Sequence, residues 1–179
     1  MRKEDVGHFK DLISANYYKK VKSIVTGGAS RQISALRGLK HVSDKTKYVA
    51  IHDGARCLIT DEMIERVAKE AIKCGAATAA FPVVDTIKLA DKNGNIKATL
   101  DRNFIWHVQT PQIFELELYK TCSNKAKTSG KAVTDDCMLV EIYGSKVKLV
   151  NTGEENIKIT VLDDIKKAEF ILKQREKQE

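Results

Sequence analysis

Three apolar runs are each followed by a short cluster of polar and charged residues. Gly27, Gly28, Arg31 and Ser34 follow Val21–Val25; His52, Asp53 and Arg56 follow Tyr48–Ile51; Asp85, Thr86 and Lys88 follow Ala76–Val84. A glycine pair ahead of a helix lets the backbone come close to a base or sugar, and a helix N-terminus attracts anions. Combined with arginine and lysine, such loops suit a phosphorylated, nucleotide-like ligand. Each piece also has a plainer reading: Gly27-Gly28 as a simple turn, Asp53 beside Arg56 as a loop ion pair, His52 as the cap of its strand. His8, His41 and His107 have no ligand spacing, which speaks against a histidine metal cage. The P-loop, the hydrolase Gly-x-Ser-x-Gly elbow and the Gly-x-Gly-x-x-Gly dinucleotide fingerprint are all absent from the sequence.

The elements that must position these loops can be read from periodicity. Apolar residues at 9, 12, 13 and 17 predict a helix over Phe9–Tyr18. Val21–Val25 then predicts a strand, and Ile33, Leu36 and Leu39 a helix from Ser30. The unit repeats with strand Tyr48–Ile51 and a helix capped by Thr60, and Ala76–Val84 begins a third. Strand and helix alternating in this way predict a parallel sheet covered on both faces, with the three loops sharing one crevice at its carboxyl edge. Asp85–Arg102 breaks the pattern: two alternating runs meet at Asn93-Gly94, a strong hairpin signal. Val108–Phe114 reads as a return strand and Phe114–Lys127 as a helix. Lys146–Val150 reads as a strand and Leu162–Lys173 as a closing helix entered through Thr160. One domain over residues 1–179, with an arm at about 85–105, is the expected organisation.

Composition sets the frame. The chain has 179 residues, 42% hydrophobic and 31% charged, with a formal net charge of +7. That is a folded chain with a leaning towards anionic ligands. Its apolar runs fall well short of a membrane span, and no apolar segment follows the charged N-terminus as in a secretory signal. Cys57, Cys74, Cys122 and Cys137 have neither zinc nor disulfide-framework spacing and read as reduced thiols, so a cytoplasmic address is expected. The lysines are spread over helices and tails with little aromatic interleaving, which argues against nucleic acid.

Seven segments in order resemble the 2-C-methyl-D-erythritol 4-phosphate cytidylyltransferases of isoprenoid biosynthesis. They are Gly27–Ser34, His52–Arg56, Pro82–Lys88, Asp101-Arg102 with Trp106, Gln109–Phe114, Thr134–Asp136 and Asn156–Thr160. The resemblance implies a Rossmann-like, GT-A-like three-layer α/β fold with a projecting β-hairpin dimerisation arm. It implies transfer of CMP from CTP to the polyol phosphate, with pyrophosphate leaving and Mg²⁺ assisting. Gly28, Ser34 and Gly54 would lie by the nucleotide. Asp53, Arg56, Thr110, Thr134 and Lys158 would meet the polyol phosphate or the reacting phosphates. Thr86 and Arg102 would reach into the partner subunit's site, and Arg102 and Lys158 would orient the attacking phosphate.

There are two departures from the family pattern. Gly54 and Cys57 stand where the family usually has alanine and proline, leaving the loop's charged groups in place. The family's opening strand, glycine-rich triphosphate loop and second strand have no counterpart, so the expectation is a shortened chain, with an open sheet edge prone to association and negligible CMP transfer on its own. The rival readings are a ribitol-5-phosphate cytidylyltransferase and a noncatalytic remnant that serves as a binding module.

Overall fold

A computed structural model describes residues 1–177 except Tyr17 and residues 130–132, and leaves aside the side chains of Lys127 and Ser129. Tyr17, one of the four residues behind the first expected helix, therefore lies outside the described residues. In chain order the elements are α1 (Val6–Ala15), α2 (Arg31–Leu39), β1 (Tyr48–Ile51), α3 (Asp61–Cys74), β2 (Ala76–Pro82), β3 (Lys88–Ala90) and β4 (Ile96–Thr99). A 3₁₀ turn at Arg102–Phe104 leads to β5 (Trp106–Glu115), α4 (Leu116–Ser129), α5 (Asp136–Glu141), β6 (Lys148–Asn151) and α6 (Leu162–Glu176).

Local chemistry sets most boundaries. Ser30 and Thr60 cap α2 and α3 by accepting the amides of Ile33 and Met63. Gly75 ends α3 at φ 84°, a left-handed position that costs a side-chain residue energy. Asp164 accepts from the amides of Thr160 and Val161 and from the Thr160 hydroxyl, closing the N-terminus of α6.

The main sheet has the order β1-β5-β2-β6 and is mixed, which corrects the expected all-parallel sheet. β2 and β6 are parallel, but β5 runs antiparallel between β1 and β2. The cause is the hairpin: β3 and β4 carry the chain out and back, so it re-enters the sheet in the opposite sense. β2 is alanine-rich and buried on both sides, as befits a central strand. Ala76 and Phe114 pack with Tyr119, Cys122, Leu139 and Val140 from α4, α5 and their neighbourhood, while Ala77, Ala79, Ile113 and Val150 pack against Val67 and Ala71 of α3. Two helical layers thus clasp one sheet.

Val21–Val25 joins neither sheet. Its backbone is met by Met1, whose ammonium donates to the Val25 carbonyl at 3.1 Å. A β-branched run becomes a strand only beside a ladder partner. A two-stranded hairpin forms at Asn93-Gly94: Asn93 and Asn95 donate their amides to Asp91 Oδ1, Gly94 takes φ 84°, and every residue of β3 and β4 is exposed.

Candidate active site

The loop leaving β1 is fixed to the middle of β5. The Asp53 amide donates to Thr110 Oγ1 at 2.9 Å, and Thr110 Oγ1 lies 3.0 Å from His52 Nδ1. His52 Nε2 faces the Arg56 carbonyl at 3.2 Å. A carbonyl only accepts, so Nε2 carries the ring proton and Nδ1 accepts from the Thr110 hydroxyl. His52 is thus a brace for its own loop. An ideal Cβ at Gly54 would meet nothing within 4 Å, so the glycine at this family-variant position is not demanded by packing.

A second loop, after β6, closes over the first. Asn156 is fully buried and donates from Nδ2 to the Thr110 carbonyl at 2.8 Å and to Gln109 Oε1 at 3.2 Å. Its own carbonyl accepts from Arg56 Nη1 at 2.7 Å, and the Ile159 amide donates to the Ala55 carbonyl at 2.8 Å. These bonds set the stem of Lys158, whose Nζ reaches Asp53 Oδ2 at 3.1 Å. Replacing Asn156 by alanine strands the Thr110 carbonyl, while Gln109 Oε1 keeps the Thr152 hydroxyl at 2.9 Å, and the expected stability loss is about 1–3 kcal/mol in urea unfolding. A loss below about 0.5 kcal/mol would show that the two loops are held by something else.

Around Asp53 the charge balance is positive. Besides Lys158, Arg56 Nε stands 3.7 Å from Asp53 Oδ2 and Arg31 Nε stands 3.8 Å from Oδ1. Those two are ion pairs too long to be hydrogen bonds. Burial pulls the Arg56 pKa below its ordinary value and Asp53 offsets part of that; an arginine stays charged regardless. Arg56 Nε is buried and makes no hydrogen bond, facing only the Asp53 carboxylate at 3.7 Å. Counting Asp136, which holds Arg31, three cations stand against two carboxylates, a net positive setting that favours phosphate oxygens.

The structure brings Asp53, Arg56, Thr110 and Lys158 together. Gly28 and Ser34 form the adjoining turn, where the Gly28 amide donates to Ser34 Oγ at 3.0 Å. A Cβ on Gly28 would sit 2.7 Å from Ile33 Cβ, so a side chain there forces Ile33 aside. Thr134 stands apart at the rim of a recess of about 670 Å³ that also includes Trp106 and Met138, its hydroxyl 3.4 Å from Met138 Sδ. Thr86 is exposed at the base of the arm, and Arg102 donates from Nη1 to the Val84 carbonyl at 2.6 Å. Neither is paired with the Asp53 cluster, because the arm leaves the body before reaching it. Sequence reasoning assigned no role to Arg31, although it stands in the quoted Gly27–Ser34 segment, nor to Asp136 and Asn156 in theirs. Among the described residues no group of three His, Cys, Asp or Glu side chains could hold a metal ion, and no helix is long and apolar enough to cross a membrane.

Comparison with known proteins adds a consistent set of matches. The family profile described as IspD, 2-C-methyl-D-erythritol 4-phosphate cytidylyltransferase, matches residues 1–174. An enzyme of that name from Desulforamulus reducens is 43% identical over 164 residues, covering 92% of this chain and 70% of the relative. Its namesake from Crocosphaera subtropica is 42% identical over 171 residues, 96% of this chain and 75% of the relative. In solved structures, 4-diphosphocytidyl-2C-methyl-D-erythritol synthase from Anaerococcus prevotii superposes with a TM-score of 0.86 at 31% identity, covering 96% of this chain and 78% of that one.

Proposed function

The chain belongs to the 2-C-methyl-D-erythritol 4-phosphate cytidylyltransferase family, and from that premise we propose that the Asp53 cluster is where the polyol phosphate is received. The activity is cytidylyl transfer. An oxygen of the polyol phosphate attacks the α-phosphorus of CTP, the new P–O bond forms, the bond to the bridging oxygen breaks, and pyrophosphate leaves with that electron pair. The observation that carries the assignment is the convergence of Lys158, Arg56 and Arg31 on one carboxylate whose backbone is fixed to Thr110. Two polyanions must meet at the reacting phosphorus, and cations already in position offset their repulsion without reorganising.

In this reading Lys158 and Arg56 take phosphate oxygens, Thr110 serves by holding the Asp53 loop in place, and Thr134 supplies a hydroxyl. Gly28, Ser34 and Gly54 lie towards the cytidine. Arg102 and Thr86 act across a two-fold dimer: Leu89 and Ile96 on the arm are 51% and 66% exposed, apolar surface that a second arm would cover. The described residues make no resident cage for Mg²⁺, since Asp53 is taken by three cations and Asp136 by Arg31 and Tyr119. We therefore assign the metal to the triphosphate as its counter-ion. The cytoplasm remains the proposed compartment, in keeping with four free cysteines.

The test is pyrophosphate release from CTP with 2-C-methyl-D-erythritol 4-phosphate or D-ribitol 5-phosphate as acceptor. In a protein that carries the family's N-terminal triphosphate segment, turnover with the first and background with the second is expected. The reverse preference would move the protein to the ribitol reading, and specific binding of polyol phosphate without any transfer would favour the binding module.

A further inference from the structure

Arg31 is the first residue of α2, a poor place for a cation, because the N-terminal end of a helix carries partial positive charge. Its side chain is 39% exposed, and a free arginine keeps about 2 kcal/mol of rotamer entropy that argues against a single pose. Yet its guanidinium is held from two sides. Nε faces Asp53, and Nη1 donates to Asp136 Oδ2, 105 residues away in sequence.

Asp136 is itself immobilised. It is 3% exposed; its Oδ1 accepts from the Tyr119 hydroxyl, and its amide donates to Gln112 Oε1 at 3.1 Å. Gln112, also buried, donates from Nε2 to Asp135 Oδ2 at 2.8 Å. Burial, and after it the charge of Asp136, push the Tyr119 pKa far above the ordinary phenol value, so the hydroxyl remains a donor. A buried carboxylate is costly unless paired and hydrogen-bonded, and Arg31 is the cation paired with this one. The arginine cannot swing away without stranding it.

We propose that Tyr119 and Asp136 form a buried clamp that sets the Arg31 guanidinium against Asp53, so that Arg31 is a preplaced phosphate-binding group and Tyr119 and Asp136 are its positioning residues. The assignment of the ligand as a phosphate rests on the function proposed above; the clamp itself does not. The benefit is preorganisation: the ordering of a long side chain is complete before the substrate arrives. The clamp also ties substrate affinity to the packing of α4 and α5, elements that contribute no side chain to the Asp53 cluster except through Arg31.

A double-mutant cycle separates this from mere pinning of α2 to α5. The probe is 2-C-methyl-D-erythritol 4-phosphate, titrated calorimetrically into the full chain. Arg31→Met should weaken binding by about 10- to 100-fold, the loss of a charge-assisted bond. Tyr119→Phe, which keeps the buried ring, should weaken it by about fivefold, and the double variant should be no weaker than Arg31→Met alone. Additive losses, or a Tyr119→Phe variant that melts lower but binds like the parent, would overturn the proposal. A second arm needs no ligand: the Arg31 Nε–Hε signal in nitrogen-15 NMR should be narrow and distinct in the parent and averaged with the exposed arginines in Tyr119→Phe. If the parent does not bind the polyol phosphate, the substrate assignment fails, while this signal still judges the clamp. An Arg31 signal unchanged by Tyr119→Phe rejects the clamp whatever the ligand.

Discussion

In a protein that carries the family's N-terminal triphosphate segment, Lys158→Ala should lower kcat/KM for CMP transfer by about 10²- to 10³-fold, the usual cost of removing one preplaced donor from a phosphate or oxyanion site. The ammonium is 3.1 Å from Asp53 Oδ2 and 47% exposed, so its ion pair adds little to stability and the melting temperature should barely move. Its value lies in what happens when a phosphate arrives. Without Lys158, Asp53 keeps a full negative charge facing the incoming dianion with only the two longer arginine contacts to offset it. Steady-state pyrophosphate release, with KM and kcat resolved, is the measurement. Lys158→Arg should recover part of the loss, because the charge is kept while the reach changes. A fall smaller than about threefold in Lys158→Ala would remove the residue from the reaction.

A larger qualitative effect is expected from mixing two dead enzymes. Arg102 donates to the Val84 carbonyl at the root of the arm and is not paired with the Asp53 cluster of its own chain. If the arm serves a neighbouring subunit, Arg102→Ala and Lys158→Ala chains, each carrying the family's N-terminal triphosphate segment and each nearly inactive, complement one another. Random reassortment at equal mixing makes about half the dimers hybrids, each with one intact site of two, so activity should return to about a quarter of the parent's. Hybrid formation is checked independently by native mass spectrometry of tagged chains. Hybrids without activity would mean that each subunit completes its own site.

What could be read from the residues alone depended on how local the cause was. Ser30 and Thr60 start helices through their own side chains, and Asn93-Gly94 turns a hairpin by its backbone preferences, so these boundaries are visible in a window of a few residues. The direction of β5 is not local. Its residues read as a strand, but only the hairpin before it decides that it runs against β1 and β2. Val21–Val25 shows the converse, a run with strand composition and no ladder to join. The candidate site divides in the same way. Asp53, Arg56 and Lys158 stand out because charged groups in short motifs suggest anions, and the structure gathers them. Arg31 acquires its significance only from Asp136, and Asp136 only from Tyr119. None of those partners lies within reach of a sequence window.

The placement of β5 between β1 and β2 has a consequence during synthesis. The chain leaves the ribosome N-terminus first at about 5–20 residues per second, and β1 and β2 emerge before β5 with no ladder between them. In the finished sheet Tyr48 pairs with Glu115 and Ile51 with Gln112, so β1 stays a loose apolar segment until Glu115 has emerged. The Asp53 loop then still lacks Asn156 and Lys158, which come later. Contacts of such long sequence separation make folding slow. A nascent chain accordingly lacks the assembled phosphate cluster until Asn156 and Lys158 have emerged, so ligand affinity arrives late in synthesis.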